Sequence, residues 1–388
     1  MANVLTDLAA DIYKAADKVS RELTGFIPSV TINGDGSERA AKGDTIRSHF
    51  TRGVSAVDNA PSMTIPEGTD QTVDNKTVTI SKSRAIQIPW TGEDVKHANN
   101  GSKFETIYGD QLVQAFRTLT NEMEVDLGTD LYQNASRAYG TAGTTPFATA
   151  GNFTDLTETL RILKDNGQAT GDLSLVMNTA AGAKFGGIQS RADIQGSTEL
   201  LRQGVFLEQS GVLLRESGQV QNHTKGTMAS ATTDAAGYAI GTKLIVLATA
   251  GTGVCAAGDI VTFAGDANLY VVESVSFAGA NPAAGDTITL GGAGLVEAIT
   301  GATAITVGNS YAGNVLLNRG AAELVVRPPA MPIGNRDAAI DSMMIVDPHT
   351  GMPFEVRAYV GYQKAMFTVS AAWGKKTWKG EGVAALLG

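Results

Sequence analysis

The residues able to do chemistry are few and far apart. The four histidines are His49, His97, His223 and His349, and none shares a recognised spacing with a serine or a carboxylate. The single cysteine, Cys255, lies in the apolar, glycine-rich run Thr252-Gly253-Val254-Cys255-Ala256, the setting of a small buried hydrophobe rather than a nucleophile. One cysteine also excludes an intrachain disulfide and any metal site built on a cysteine cluster. The chain has no Gly-x-Ser-x-Gly elbow, no Walker-type phosphate loop, no His-Glu-x-x-His pair and no Gly-x-Gly-x-x-Gly turn after a strand. The turn at Asn33-Gly34-Asp35-Gly36 fails as a calcium loop because Glu38 stands where glycine is required. No catalytic, cofactor-binding or metal-ligating residue is assigned, and no cofactor is expected.

Composition narrows the classes further. The net charge is −9 and the basic residues form no run, so the clustered Lys/Arg footprint of direct nucleic-acid binding is missing. A negative wall would suit a container that must not stick to packaged nucleic acid, and solubility alone explains it equally well. The first residues lack a charged start and an apolar core, and no run of 18 apolar residues exists. The expectation is a protein made in a reducing cytoplasm, without export and without a membrane span.

The elements that must position these residues follow a distinctive order. Leu5, Leu8, Ile12, Ala15, Ala16, Val19 and Leu23 recur at helical spacing, and Gly25 and Pro28 end that helix. Between Asp44 and Trp90 the period changes to two, in Thr45-Ile46-Arg47-Ser48-His49-Phe50, Lys76-Thr77-Val78-Thr79-Ile80 and Arg84-Ala85-Ile86-Gln87-Ile88. Pro61, Pro66 and Gly68 mark the tip of this long, polar hairpin, which is too poor in large apolar residues to stand alone in water. Residues 102–136 then predict a helix of about 50 Å. Its stripe is Phe104, Tyr108, Leu112, Phe116, Leu119, Met123, Leu127 and Leu131, with a capping box at Ser102 and Glu105. Glu122, Glu124, Asp126 and Asp130 fall mostly off the stripe, where solvent is the expected partner. Such elements overhang their own core, so neighbouring copies are expected to cover them.

Residues 152–164 read as a helix, Leu173-Ser174-Leu175-Val176-Met177 as a buried strand, Asn178 as the cap of a short helix, and residues 205–216 as two short strands around Gly211. From about Thr224 to Ala312 the chain turns Gly/Ala/Thr/Val-rich. Two segments there look alike: Ala257-Gly258-Asp259-Ile260-Val261-Thr262-Phe263 and Ala284-Gly285-Asp286-Thr287-Ile288-Thr289-Leu290. Gly-Asp turns leading into alternating strands suggest a small Greek-key barrel, inserted because the flanking texture resumes after it. Strands return over residues 314–332 and 354–387. Arg47, Arg52, Glu67, Asp70, Lys82 and Arg84 on the hairpin, with Leu5, Leu8 and Ile12 on the first helix, are the candidate contacts to a neighbouring subunit.

This order resembles the HK97-like fold of tailed-phage major capsid proteins. Asn314-Val315-Leu316-Leu317, Ala322 to Val326 and Arg327-Pro328-Pro329-Ala330-Met331-Pro332 are similar to that family's strand pair before its C-terminal domain. Ala372-Trp373-Gly374-Lys375-Lys376 with Gly380-Glu381-Gly382-Val383 is similar to its closing strand. The segment Gly258 to Gly265 is similar to the insertion domain of the coat protein of short-tailed Salmonella phages. The resemblance implies an α+β chain: N-terminal arm (1–43), extended loop (44–96), peripheral domain with spine helix (97–140), axial domain (141–223 and 313–345), inserted β-barrel (224–312), and peripheral C-terminal strands (346–388). It implies a virion shell of pentamers and hexamers that encloses double-stranded DNA and is assembled in the host cytoplasm. A scaffolding protein and a portal protein take part, maturation converts procapsid to capsid, and a decoration protein is left open. Lys76 or Lys82 lies where relatives of the crosslinked type carry a reactive lysine, but no crosslink is assigned. The alternatives are a secreted carbohydrate-binding β-protein, suggested by the Gly/Thr-rich segment, and an enzyme whose site assembles only in space.

Overall fold

The computed structural model describes residues 25–49, 56, 58–65, 75–99, 104–149, 152–189, 208–332, 337–347 and 350–388. The first helix read from the sequence, the capping box at Ser102 and residues 205–207 lie outside these residues.

One α-helix, Phe104–Gln133, dominates a chain that is otherwise mostly sheet. Leu112, Phe116, Leu119, Met123, Leu127 and Leu131 recur every three or four residues and are all buried. Their cover comes from the same chain, which corrects the expectation that neighbouring copies must supply it. The helix lies against a six-stranded sheet, where Phe354, Phe367, Val369 and Trp373 join it in one core. The Phe116 ring meets Phe354 edge-on at 5.2 Å between centroids. Periodicity reports which face is apolar; it does not report who covers it.

At the centre of that sheet runs the strand Lys364–Thr377, 14 residues long. No single neighbour is long enough to pair with all of it. One edge carries Pro353–Gly361 and then Ala322–Arg327, and the other carries Lys82–Thr91. Thr31–Gly34 extends the sheet parallel to Ala322–Arg327, and Asp341–Val346 pairs with the outer edge of Pro353–Gly361. Widely separated stretches of sequence are therefore joined through one backbone. The hairpin of Thr45–His49 and Asn75–Thr79 grows from the same place. Its base buries Val78 and Ile80 against Ala40, Val325 and Ala372. Gly374 allows this seating, because a Cβ there would stand 2.3 Å from the Thr79 carbonyl oxygen.

A second sheet has Leu173–Met177, Tyr311–Asn318 and Val383–Leu387 at its middle. The first and last of these are buried at every residue, and Tyr311–Asn318 at all but its last. Two helices pack with it, Thr154–Asp165 and Thr179–Gln189, bringing Leu156, Leu160, Leu163 and Phe185 into its core. Asn178 caps the second as its sequence predicts, accepting the Ala181 N–H at 2.8 Å.

Beyond Tyr311–Asn318 the pairing continues around a ring. Ala231–Thr232, Ala304–Val307, Ile260–Phe263, Leu269–Ser276, Thr287–Leu290 and Leu244–Val246 pair in that order, all antiparallel. Thr233 and Leu247 bridge the last strand to the first, with Asp234 N–H to Val246 O and Ala248 N–H to Thr232 O at 3.0 Å each. The ring has its own core, including Ile245, Val261, Phe263, Tyr270 and Leu290. The two look-alike segments are one turn used twice. Gly258 and Gly285 have φ of +92° and +94°, and Asp259 and Asp286 each accept the N–H three residues back, at 2.7 and 2.8 Å. The ring is tied to the body by Leu269 and Tyr270 pairing with Ala138 and Arg137. The chain enters and leaves it on adjacent rungs, Asn222 opposite Ala312 and His223 opposite Tyr311.

Gly374→Ala should push the hairpin off the long strand, because backbone on both sides cannot yield. Limited proteolysis should then cut residues 44–80 at least tenfold faster than in the wild type, while the second sheet stays protected.

Candidate functional site

The acidic residues of the long helix organise the surface from which the hairpin springs. Glu122, Asp126 and Asp130 are spaced by four, which places them on one face. Lys82 Nζ reaches Glu122 Oε1 and Asp126 Oδ1 at 2.9 Å each, and Arg84 Nε reaches Glu122 at 3.1 Å. From the long strand, Trp373 Nε1 donates to Asp126 Oδ2 at 3.0 Å and Lys375 Nζ donates to the Asp126 carbonyl. Thr377 donates both its N–H and its hydroxyl to Asp130, at 2.9 and 2.7 Å. Solvent was the expected partner for these carboxylates; instead they clamp two strands to the helix. Burial lowers the affinity of Lys82 for its proton, and the hydrogen bonds it donates to Asp126 and Glu122 more than restore it. For Lys375 burial prevails over Asp130 and Asp126, and its pKa falls.

The candidate contact residues separate accordingly. Lys82 and Arg84 are engaged within the chain. Arg47 stands exposed on the hairpin strand Thr45–His49. Arg52, Glu67, Asp70, Leu5, Leu8 and Ile12 lie outside the described residues.

Among the described residues, the most exposed apolar groups carry no signal that the sequence analysis uses. Met63 and Ile65, between the two hairpin strands, have side chains wholly in solvent, as does Tyr362 at the turn after Pro353–Gly361. A Met and an Ile two residues apart, beside Pro61 in a polar loop, were the available signal. Next to the base of the hairpin, a groove of about 500 Å³ runs between Lys82–Thr91 and the long helix. Ile86, Ile88, Pro89, Gln111, Gln114 and Ala115 line it. The strand Lys82–Thr91 has a partner on one edge only among the described residues, and Pro89 is compatible with that edge position.

One cluster has residue types that could suggest catalysis. His223 Nε2 lies 2.8 Å from Asp259 Oδ1, and the Cys255 thiol donates to Asp259 Oδ2 at 3.2 Å. Both side chains address the same carboxylate, so the ring is not placed as a base for the sulfur. Burial, then the nearby Asp259 charge, pushes the Cys255 thiol well up. Burial also raises Asp259, but donation from His223, Ala256, Gly226 and Cys255 outweighs it, and the carboxyl ends below its ordinary value. The His223 ring meets Tyr132 of the long helix and Tyr311 at 5.7 and 5.3 Å between centroids. The cluster fastens the ring of strands to the helix. Among the described residues no group of three or more His, Cys, Asp or Glu could hold a metal, and no helix is long and apolar enough to cross a membrane.

No family model and no curated protein matches the chain. Among solved structures it is similar to that of Mycobacterium phage Che8, at 12% identity and a TM-score of 0.47 over 94% of this chain and 90% of that one. It is similar to the capsid of cyanophage P-SCSP1u at 11% identity and 0.48, over 92% and 86%. The virus-like particle from Pyrococcus furiosus aligns at 9% identity and 0.41, over 97% of each chain.

Asp126→Ala would strip acceptors from Lys82 and the Trp373 indole at once. A loss of about 1–3 kcal/mol is expected, the scale for leaving buried donors unpaired, measured by urea denaturation. An unchanged midpoint would mean that the Asp126 carboxylate contributes nothing to the clamp.

Proposed function

We propose that this chain is a major capsid subunit of a tailed phage, built on an HK97-like plan and assembling with copies of itself into a closed shell. The observation that carries this reading is the exposed apolar tip. Met63 and Ile65 lie in the chain between the two strands of a hairpin whose base is buried and whose neighbouring strand is ion-paired to the long helix, so the loop is anchored at its root and carries uncovered apolar groups. The groove beside Ile86 and Ile88 suits such a tip, and in this reading the tip of one copy enters the groove of the next. Tip and groove are different surfaces, so the contact is head to tail, and repetition of one head-to-tail contact closes rings when the rotation permits. Burial of two apolar side chains contributes about 3–6 kcal/mol before the entropy of docking is subtracted, which leaves each contact weak and correctable.

The finer parts of the reading rest on the same plan. Residues 224–312 act as an inserted β-barrel domain, the first helix with Leu5, Leu8 and Ile12 as an N-terminal arm, and Arg47, Arg52, Glu67 and Asp70 as polar contacts around the loop. The shell consists of pentamers and hexamers, is assembled with a scaffolding protein and a portal, encloses double-stranded DNA without reading its sequence, and matures from a procapsid.

Negative-stain microscopy of the overexpressed chain, with its scaffold if required, should show shells or tubes. Met63→Asp combined with Ile65→Asp should leave unassembled subunits with unchanged far-ultraviolet circular dichroism. A wild-type chain that stays monomeric under every assembly condition would overturn the reading, and normal shells from the double variant would overturn the role of the tip.

A further inference from the structure

The innermost carboxyl of the long helix is Glu124, which is completely buried. It does not belong to the clamp of Glu122, Asp126 and Asp130. It points instead at the first described residues. The Phe26 N–H donates to Glu124 Oε2 at 2.9 Å and Oε1 at 3.2 Å, and the N–H groups of Gly25 and Ile27 lie close enough to influence the same carboxyl. Around that contact residues 25–30 fill a slot. Phe26, Ile27 and Val30 have no exposed surface, and Ile27–Ser29 forms a single 3-10 turn. The slot is cut by glycine on both sides. A Cβ at Gly128 would stand 2.7 Å from the Phe26 ring, and one at Gly25 would stand 2.6 Å from Val176 of the strand Leu173–Met177. A turn this short could be held by packing alone, so a buried acid at its focus is an addition.

We propose that Glu124 is a proton-controlled latch, which in its neutral form holds residues 25–30 in the slot between the long helix and the strand Leu173–Met177 and on ionisation loosens them. The inference goes beyond the shell reading and does not depend on it. Burial pushes the carboxyl up from its ordinary 4.5 to about 8, against the opposing pull of the three backbone N–H groups. The charge whose field favours the ionised form is Arg215 on Val212–Glu216; burial and the like charge of Arg319 lower its pKa, yet a guanidinium stays charged throughout this range. Among the described residues no cation stands within ion-pairing distance of Glu124. On the helix itself the neighbouring acids Glu122 and Asp126 are held by Lys82.

The direction of the switch follows from proton linkage. When the slot opens, Glu124 meets water and its pKa returns towards 4.5. Between that value and about 8 the closed form keeps a proton that the open form has released. The latch is strongest below the lower value and weakens as pH rises, by up to about tenfold per unit, until the closed form ionises and the dependence levels off.

Hydrogen exchange on the full-length chain, normalised to the intrinsic chemical rate at each pH, tests this at the amides of residues 25–30. Protection should fall at least tenfold from pH 5 to pH 8, while residues 313–318 in the second sheet stay level. Glu124→Gln keeps an acceptor and loses the titrating proton, so its profile should be flat. Gly128→Ala should lower protection at every pH but keep the wild-type slope. A flat wild-type profile, a Glu124→Gln profile parallel to the wild type, or the same fall at residues 313–318 would each overturn the latch. The wild-type comparison alone decides the matter if the variants do not fold.

Discussion

A β-strand of 14 residues must have its backbone groups satisfied along both edges, and Lys364–Thr377 meets that demand with three separate partners. The rest of the six-stranded sheet is arranged around this requirement. The partners come from residues 82–91, 322–327 and 353–361, so the strand cannot pair fully until distant parts of the chain have come together. The long helix then seals one face of the assembled sheet with its apolar stripe. Its acidic row takes the polar ends of the side chains that emerge beside the stripe. Helix and sheet hold each other in register because each supplies what the other lacks.

This arrangement leaves a clear division between what is satisfied and what is not. The base of the hairpin and the helix from Leu112 onward are covered by the same chain. Among the described residues the loop at Met63 and Ile65 is not, nor is the second edge of Lys82–Thr91 beside its groove. Lys82 and Arg84 pair with Glu122 of the long helix, and their charges stiffen the root of the loop.

Local pattern made much of this legible in the sequence. Period two marked the hairpin strands to within a residue or two, Asn178 announced its helix, and the repeated Gly-Asp step was a real turn with buried aspartates. Long-range partners were not legible. Glu124 accepts from a backbone 98 residues away, and Asp126 from an indole 247 residues away, and no feature of their neighbours in sequence distinguishes them from solvated acids. The helical stripe was equally silent about whether its cover lay in the same chain. Met63 and Ile65 escaped notice because two apolar residues in a polar loop carry no periodic signal.

The two rungs at which the ring of strands begins and ends have a mechanical meaning. Asn222 faces Ala312 and His223 faces Tyr311 on one antiparallel ladder, and Tyr311 continues directly into a central strand of the second sheet. A pull transmitted along the polypeptide through the body crosses from one side of that ladder to the other by its hydrogen bonds. The ring lies beside this path rather than in it, and the rungs of Leu269 and Tyr270 on Ala138 and Arg137 brace it against the body at a second point.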